Sequence, residues 1–184
     1  MDIPISMDFR ERDLISACIR REEWAIRKVY EDHYSLMMSI CLRFAANESD
    51  AMDLLHDGYI KVINNFEKYV PNTSFPSWLH RLIVNNCIDH FRKMSRRRTE
   101  DIEQIYHTAI IDPDAVSKCT EKEILNAIQK LSPTYRTVFV LAAIEGYSHK
   151  EIATELGITE STSRSNLVKA RLRLQELLKE KIGM

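Results

Sequence analysis

Apolar residues recur at helical spacing through both halves of this chain, and little in the sequence would interrupt a helix. Only four glycines and five prolines occur in 184 residues. That scarcity disfavours a turn-rich β fold and favours long helices. In the first half, Leu14, Ile15, Cys18 and Ile19 repeat with the helical period. Ile26, Val29, Tyr30, Met37, Ile40, Cys41 and Phe44 continue it on a longer element. Residues 47–50 break the pattern and offer capping side chains for the next helix. That helix sets Leu55, Tyr59, Val62, Ile63 and Phe66 on one face. A loop with two prolines and short polar residues follows at 69–76. Another helix is expected over 77–93, with Leu79, Leu82, Ile83 and Phe91 among its apolar positions.

The second half has its own pattern. Ile124, Leu125, Ile128 and Leu131 form one stripe, ended by Ser132-Pro133. Val138, Phe139, Leu141, Ala142 and Ile144 form the next, ended near Gly146. Ser148-His-Lys-Glu151 reads as a capping box, with Ile152, Ala153 and Leu156 on the buried side of a short helix. Gly157 supplies a turn, and a last helix starts near Thr159 or Glu160. Between the halves the composition shifts. Arg92, Lys93, Arg96, Arg97 and Arg98 fall in an acid-free run, whereas residues 99–123 carry a net charge of −5 with weak periodicity. The expected architecture is all-α: a helical domain over 9–98, a flexible linker over 99–120 and a second helical domain over 121–184.

Several function classes are disfavoured. No apolar run approaches the roughly 18 residues of a membrane span, and residues 1–8 show no basic stretch followed by an apolar core. Cys18, Cys41, Cys87 and Cys119 form no CxxC pair, so buried reduced thiols in a cytoplasmic protein are expected. His80, Cys87 and His90 share a helix face, but His80 and Cys87 stand about 10 Å apart along the axis. A zinc ion about 2.1–2.3 Å from each ligand cannot bridge them, so no metal is expected. There is no Gly-rich phosphate loop, nucleophile motif or carboxylate pair, hence no catalytic residue and no cofactor.

What remains points to DNA. A short capped helix, a glycine turn and a longer helix carrying exposed bases make a helix-turn-helix. With Leu167 taken as inward, Leu174 and Leu178 fall within about 20° of it and Ala170 and Leu177 within about 80°. Arg164, Ser165, Val168 and Lys169 are expected to face outward, where Arg and Lys can donate to guanine edges in a major groove. Arg171, further along the helix, suits a phosphate. Ser161 and Thr162 can bond phosphate oxygens beside the helix start. The basic run at 92–98, near Phe75, Trp78 and Phe91, fits phosphates and unpaired bases.

The pieces together resemble the extracytoplasmic-function class of RNA polymerase sigma factors. Asp50-Ala-Met-Asp-Leu-Leu-His-Asp57, with Tyr59 and Phe66, resembles sigma region 2 where it holds the polymerase. The segment Phe75-Pro-Ser-Trp to Ile88-Asp-His-Phe-Arg92 resembles the helix that reads and melts the minus-ten element. Leu131-Ser-Pro-Thr-Tyr-Arg, Tyr147-Ser-His-Lys-Glu-Ile-Ala and Leu156-Gly-Ile-Thr-Glu to Lys169-Ala-Arg171 resemble sigma region 4. The resemblance implies that Asp50, Asp53, Asp57 and Tyr59 meet bacterial core RNA polymerase. It implies that Trp78, Asn85, Asn86, Asp89, Arg92 and Lys93 meet the minus-ten DNA. It implies that Ser161, Thr162, Arg164, Ser165, Val168, Lys169 and Arg171 meet the minus-thirty-five DNA. An anti-sigma factor is the family's usual further partner, though nothing in the sequence identifies one. Three residues depart from the family pattern: His56, Gly58 and, where valine is common, Ser163. Gly58 is expected to weaken its helix by about 1 kcal/mol relative to alanine. The competing reading, a helix-turn-helix regulator that binds DNA unaided, would need a sensing or dimerisation domain in the first half. That half carries instead an acidic-apolar helix followed by a basic aromatic one.

Overall fold

The computed structural model describes residues 9–71, 73–97 and 120–182. Among them are eight α-helices and no strand: α1 Phe9–Ile19, α2 Glu23–Phe44, α3 Glu48–Ile63, α4 Phe75–Arg97, α5 Glu121–Gln129, α6 Pro133–Phe139, α7 His149–Leu156 and α8 Glu160–Ile182. A 3₁₀ turn at Phe66–Lys68 follows α3, and a π turn at Val140–Ile144 extends α6. The helical fold implied by the apolar period is the fold observed. The linker expected over 99–120 lies outside the described residues, except for Thr120.

The chain divides into two compact units. One draws on Met1–Cys41 and Ser49–Cys87, the other on Leu42–Glu48 and Ile88–Met184. The division follows packing and falls within α2, at the first residue of α3 and within α4, whereas the sequence boundaries follow motifs.

In the first unit, Val29, Met37, Ile40, Leu55, Val62, Phe66, Leu79 and Ile83 are fully buried, as the stripes require. The turn after α1 closes through Arg21 N–H to the Cys18 carbonyl (2.9 Å) and Glu22 N–H to the Ala17 carbonyl (3.0 Å). Arg21 there has φ 60°, a left-handed conformation that a side chain disfavours. Helices α3 and α4 approach closely at Gly58: a Cβ on that residue would stand 2.8 Å from Ile83 Cδ1 and 3.3 Å from Asn86 Nδ2. The glycine that weakens its own helix thus permits a tertiary contact.

In the second unit the helix ends are capped much as the sequence indicates. Thr120 and Glu123 form a capping box on α5, Ser132 caps α6 with Pro133 in its first turn, and Ser148 and Glu151 form the box on α7. The two hydrogen bonds from Ser148 hold the Glu151 carboxyl below the usual carboxylate range. Helix α7 ends at Gly157 in the left-handed region (φ 67°, ψ 34°), which glycine enters without steric cost. Arg136 is buried, and its guanidinium donates to the carbonyls of Ile128 (3.3 Å), Gln129 (2.8 Å), Leu131 (2.7 Å) and Phe44 (3.2 Å). One cation thereby satisfies the open carbonyls at the end of α5. Cys18, Cys41 and Cys87 are buried; Cys119 lies outside the described residues.

Candidate polymerase and nucleic-acid interfaces

Three groups of side chains carry the candidate sites. The first lies on α3, where Asp50, Asp53 and Asp57 are all exposed. Asp53 and Asp57 stand one turn apart and make a continuous acidic edge. Tyr59 points elsewhere. It lies about 200° around the helix from Asp57, its hydroxyl donates to the Ile26 carbonyl of α2, and its ring meets Tyr30 edge-on at 4.8 Å. Burial, with the Cys18 thiol beside it, pushes its phenol above the ordinary range. Tyr59 therefore braces α3 against α2, in keeping with its place on the apolar stripe. The sequence reading passed over Ile60. It is 57% exposed and sits about 20° from Asp53 on the helical wheel. Its signal was an apolar residue outside the buried stripe.

The second group is on α4. Trp78 is half-buried in an aromatic cluster, nearly parallel to Phe75 (5.5 Å between centroids) and Phe66 (6.1 Å), with Tyr69 edge-on at 5.4 Å. The Tyr69 hydroxyl donates to the Thr73 carbonyl and ties the loop before α4 to that cluster. Val70 on this loop is 62% exposed. Asn85, Asp89 and Lys93 are exposed. Asn86 is not: it is 3% exposed, and its amide donates to the Leu54 carbonyl at 2.9 Å. The expected base contact by Asn86 does not match this placement, because the side chain is spent inside the first unit. Arg92, in the second unit, is half-buried. It lies 3.6 Å from Asp89, 2.8 Å from the Glu155 carboxylate, and donates through Nε to the Glu155 carbonyl. Arg81, exposed and one turn before Asn85, extends the polar edge and was missed. Its i−4 spacing was the available signal.

The third group is the helix-turn-helix of α7, Gly157 and α8. Helix α8 packs mainly on α6 and α7. Its buried arc holds Ser163, Asn166, Leu167, Ala170, Leu174, Leu177 and Leu178. Ser161, Thr162, Arg164, Ser165, Val168 and Arg171 are exposed. The Thr159 hydroxyl caps the helix, accepting from Thr162 N–H at 3.1 Å, and it also meets the hydroxyls of Ser161 (2.9 Å) and Thr162 (2.8 Å). Arg164 pairs with Glu160 at 2.8 Å, both well exposed. Such a pair contributes little and yields readily to another anion. Lys169 differs from the expectation of an outward residue. It is half-buried, with Nζ 5.9 Å from the centre of the Tyr135 ring. Because α6 and α7 both flank α8, its covered arc is wider than a single neighbour would make it, and the long lysine stem lies along it.

Among the described residues no group of three or more His, Cys, Asp or Glu is placed to hold a metal ion, and no helix is long and apolar enough to cross a membrane.

Comparison with known proteins bears on both halves. Sigma-70 region 2 matches residues 29–98, and Sigma-70, region 4 matches residues 121–174. The ECF RNA polymerase sigma factor SigE of Mycolicibacterium smegmatis is 30% identical over 165 residues, covering 82% of this chain and 60% of that protein. SigM of Mycobacterium tuberculosis is 27% identical over 168 residues, covering 91% and 84%. SigW of Bacillus subtilis is 29% identical over 167 residues, covering 83% and 86%. Among solved structures, the sigma factor RpoE in complex with the anti-sigma factor NepR from Bartonella quintana is similar at 21% identity and a TM-score of 0.48, covering 83% of this chain and 96% of that one. With a region 2 followed by a region 4, each carried on helices, the chain belongs to the extracytoplasmic-function class of RNA polymerase sigma factors.

Proposed function

We propose that this chain binds bacterial core RNA polymerase in the cytoplasm and directs it to promoters, with the domains 9–98 and 121–184 dividing the work. The observation that carries the reading is the order of its parts: a region 2 match, then a region 4 match ending in a capped helix-turn-helix with an exposed Arg164, Ser165, Val168 and Arg171. The acidic edge of Asp50, Asp53 and Asp57 meets the polymerase, with Tyr59 bracing α3 behind it. Trp78, Asn85, Asp89, Arg92 and Lys93 meet the minus-ten element, and Arg92 exchanges a carboxylate partner for a phosphate. Ser161, Thr162, Arg164, Ser165, Val168, Lys169 and Arg171 serve the minus-thirty-five element. An anti-sigma factor is a further partner of the class. The activity is one of binding and placement, and no catalytic group is assigned.

The test is transcription in vitro. Purified protein added to core polymerase is expected to start transcripts at specific promoters. The variant carrying Asp53→Arg and Asp57→Arg is expected to lose core binding in gel filtration while keeping its helical circular dichroism. Undiminished binding by that variant refutes the polymerase assignment of α3. Sequence-specific DNA binding without any dependence on polymerase favours the unaided regulator instead.

A further inference from the structure

We infer that His149 and Ser163 form a polar clip that sets the pose of α8, and through it the base preference at the minus-thirty-five element. The inference rests on the reading of α8 as the base-reading helix. Its observation is a side-chain hydrogen bond between the two helices of the motif: His149 Nδ1 lies 2.9 Å from Ser163 Oγ, 14 residues away in sequence.

Both ends of this bond are fixed. His149 opens α7 directly after the capping residue Ser148. The capping box holds that first turn, with Ser148 Oγ and N–H lying 2.7 and 2.8 Å from the Glu151 carboxylate. The imidazole is half-buried, so it projects from an anchored turn. Ser163 has no solvent exposure at all. A hydroxyl buried that deeply needs a partner, and an unmet one costs about 1–3 kcal/mol. The seat therefore accepts α8 best when Oγ faces Nδ1. An apolar contact between helices tolerates small slides and rotations, whereas a hydrogen bond at one point fixes distance and direction.

Ser163 lies where such a constraint reaches the DNA-facing side. Its chain neighbours Thr162 and Arg164 are both exposed, and so are Ser165 and Val168. A rotation of α8 about its axis swings these side chains together. Base reading by a bidentate arginine depends on direction as well as reach, so a small change of pose alters which base is preferred before it alters attraction to the phosphates. His149 and Ser163 are thus positioning residues that touch no DNA themselves.

The test uses the full chain with core polymerase and a promoter library randomised across the minus-thirty-five element, alongside thermal unfolding of each variant. Ser163→Ala and His149→Leu each remove one end of the clip. Each is expected to narrow the preference for the best element over its single-base changes by about threefold to tenfold, the span of one lost neutral hydrogen bond. His149→Asn keeps a polar atom at the same number of bonds from the backbone as Nδ1, and it is expected to restore the preference. The double variant Ser163→Ala, His149→Leu is expected to match either single change, since only one bond exists to lose. If His149→Asn and His149→Leu select the same motif as the unaltered chain and differ only in melting temperature or uniform affinity, the pair merely packs and the proposal is overturned. Arg164→Ala is the control on the underlying reading. If it too leaves the motif unchanged, α8 does not read this element, and the proposal falls with that reading. If Arg164→Ala shifts the motif and the clip variants do not, the proposal alone fails.

Discussion

Replacing Gly58 with alanine tests whether the close approach of α3 and α4 governs the first unit. Helix propensity alone predicts a gain of about 1 kcal/mol, because glycine is that much worse than alanine inside a helix. The packing predicts a loss. The new methyl would stand 2.8 Å from Ile83 Cδ1 and 3.3 Å from the Asn86 amide nitrogen. Ile83 is fully buried, and a close-packed interior leaves its end carbon little room to turn aside. Overpacking of this kind costs about 1–3 kcal/mol. The Asn86 amide is held at 2.9 Å from the Leu54 carbonyl, and loosening it adds part of the roughly 1–3 kcal/mol of an unmet buried group. The net expectation is a loss of about 1–2 kcal/mol, opposite in sign to the propensity term. The chain's two tryptophans are Trp24 and Trp78, both in the first unit, so urea unfolding followed by tryptophan fluorescence reports that unit. Ile83→Val deletes the atom that the new methyl would strike and costs about 0.5–1.5 kcal/mol alone. The double variant is expected to be more stable than the two single losses combined by at least about 0.5 kcal/mol, beyond ordinary additivity. A stabilised Gly58→Ala, or strict additivity with Ile83→Val, refutes the reasoning.

Three further outcomes follow from single sites. Burial, with Glu22 nearby, pushes the Cys18 thiol from an ordinary value of 9.0 up to about 11. The native state thus holds a proton that the unfolded state gives up, so the contribution is intact below pH 9.0 and is lost as pH rises toward 11; the urea midpoint should fall across that window, and less so in Cys18→Ala. Arg136→Lys should destabilise the second unit by about 3 kcal/mol or more, since an ammonium cannot span four carbonyls as the guanidinium fork does; amide exchange in α5 and α6 measures it, and unchanged protection contradicts the role given to Arg136. Tyr69→Phe keeps the ring and deletes the hydroxyl bonded to Thr73, so permanganate footprinting should show slower strand opening with closed-complex binding intact; equal opening rates would remove the loop from the melting step.

Much of this was legible because helix ends and apolar stripes are local. Ser148 with Glu151, Pro133 and Gly157 act within a few residues of themselves, and their roles in the structure match their sequence signatures. Polar residues on buried faces were harder to place. Asn86 stands three residues after Ile83 and seven after Leu79, so the period set it inward while its chemistry suggested a base reader. Its partner, Leu54, is 32 residues away. Tyr59 stands four residues after Leu55, and its place on the stripe outweighed its place in the motif. Gly58 read as a flaw because its reason, Ile83 Cδ1, lies on another helix. Burial of a polar side chain depends on which distant group receives it, and no periodicity encodes that.

Helix α8 shows the same limit on the DNA side, and it yields a division of labour open to measurement. The expectation from sequence sets Arg164 and Lys169 together on the outward side, and a wheel centred on Leu167 places Lys169 about 160° from it. The structure separates them: Arg164 is exposed beside Glu160, while Lys169 lies over the Tyr135 ring. Arg171 is exposed seven residues after Arg164, about 10.5 Å further along the axis. Recognition helices meet bases with their N-terminal residues, so Arg164 is placed for bases and Arg171 for the backbone beyond the groove floor. Arg164→Ala is therefore expected to relax preference at one or two promoter positions by about 1–3 kcal/mol. Arg171→Ala should weaken all sequences alike and lower the salt slope by about one unit. Lys169→Ala should change preference less than Arg164→Ala and should cost stability, because leaving Tyr135 forfeits about 0.5–1 kcal/mol of cation–π contact. Promoter selection at two salt concentrations separates the three. If Lys169→Ala shifts the motif as far as Arg164→Ala, the lysine leaves its ring on binding DNA, and the wheel was the better guide to its role.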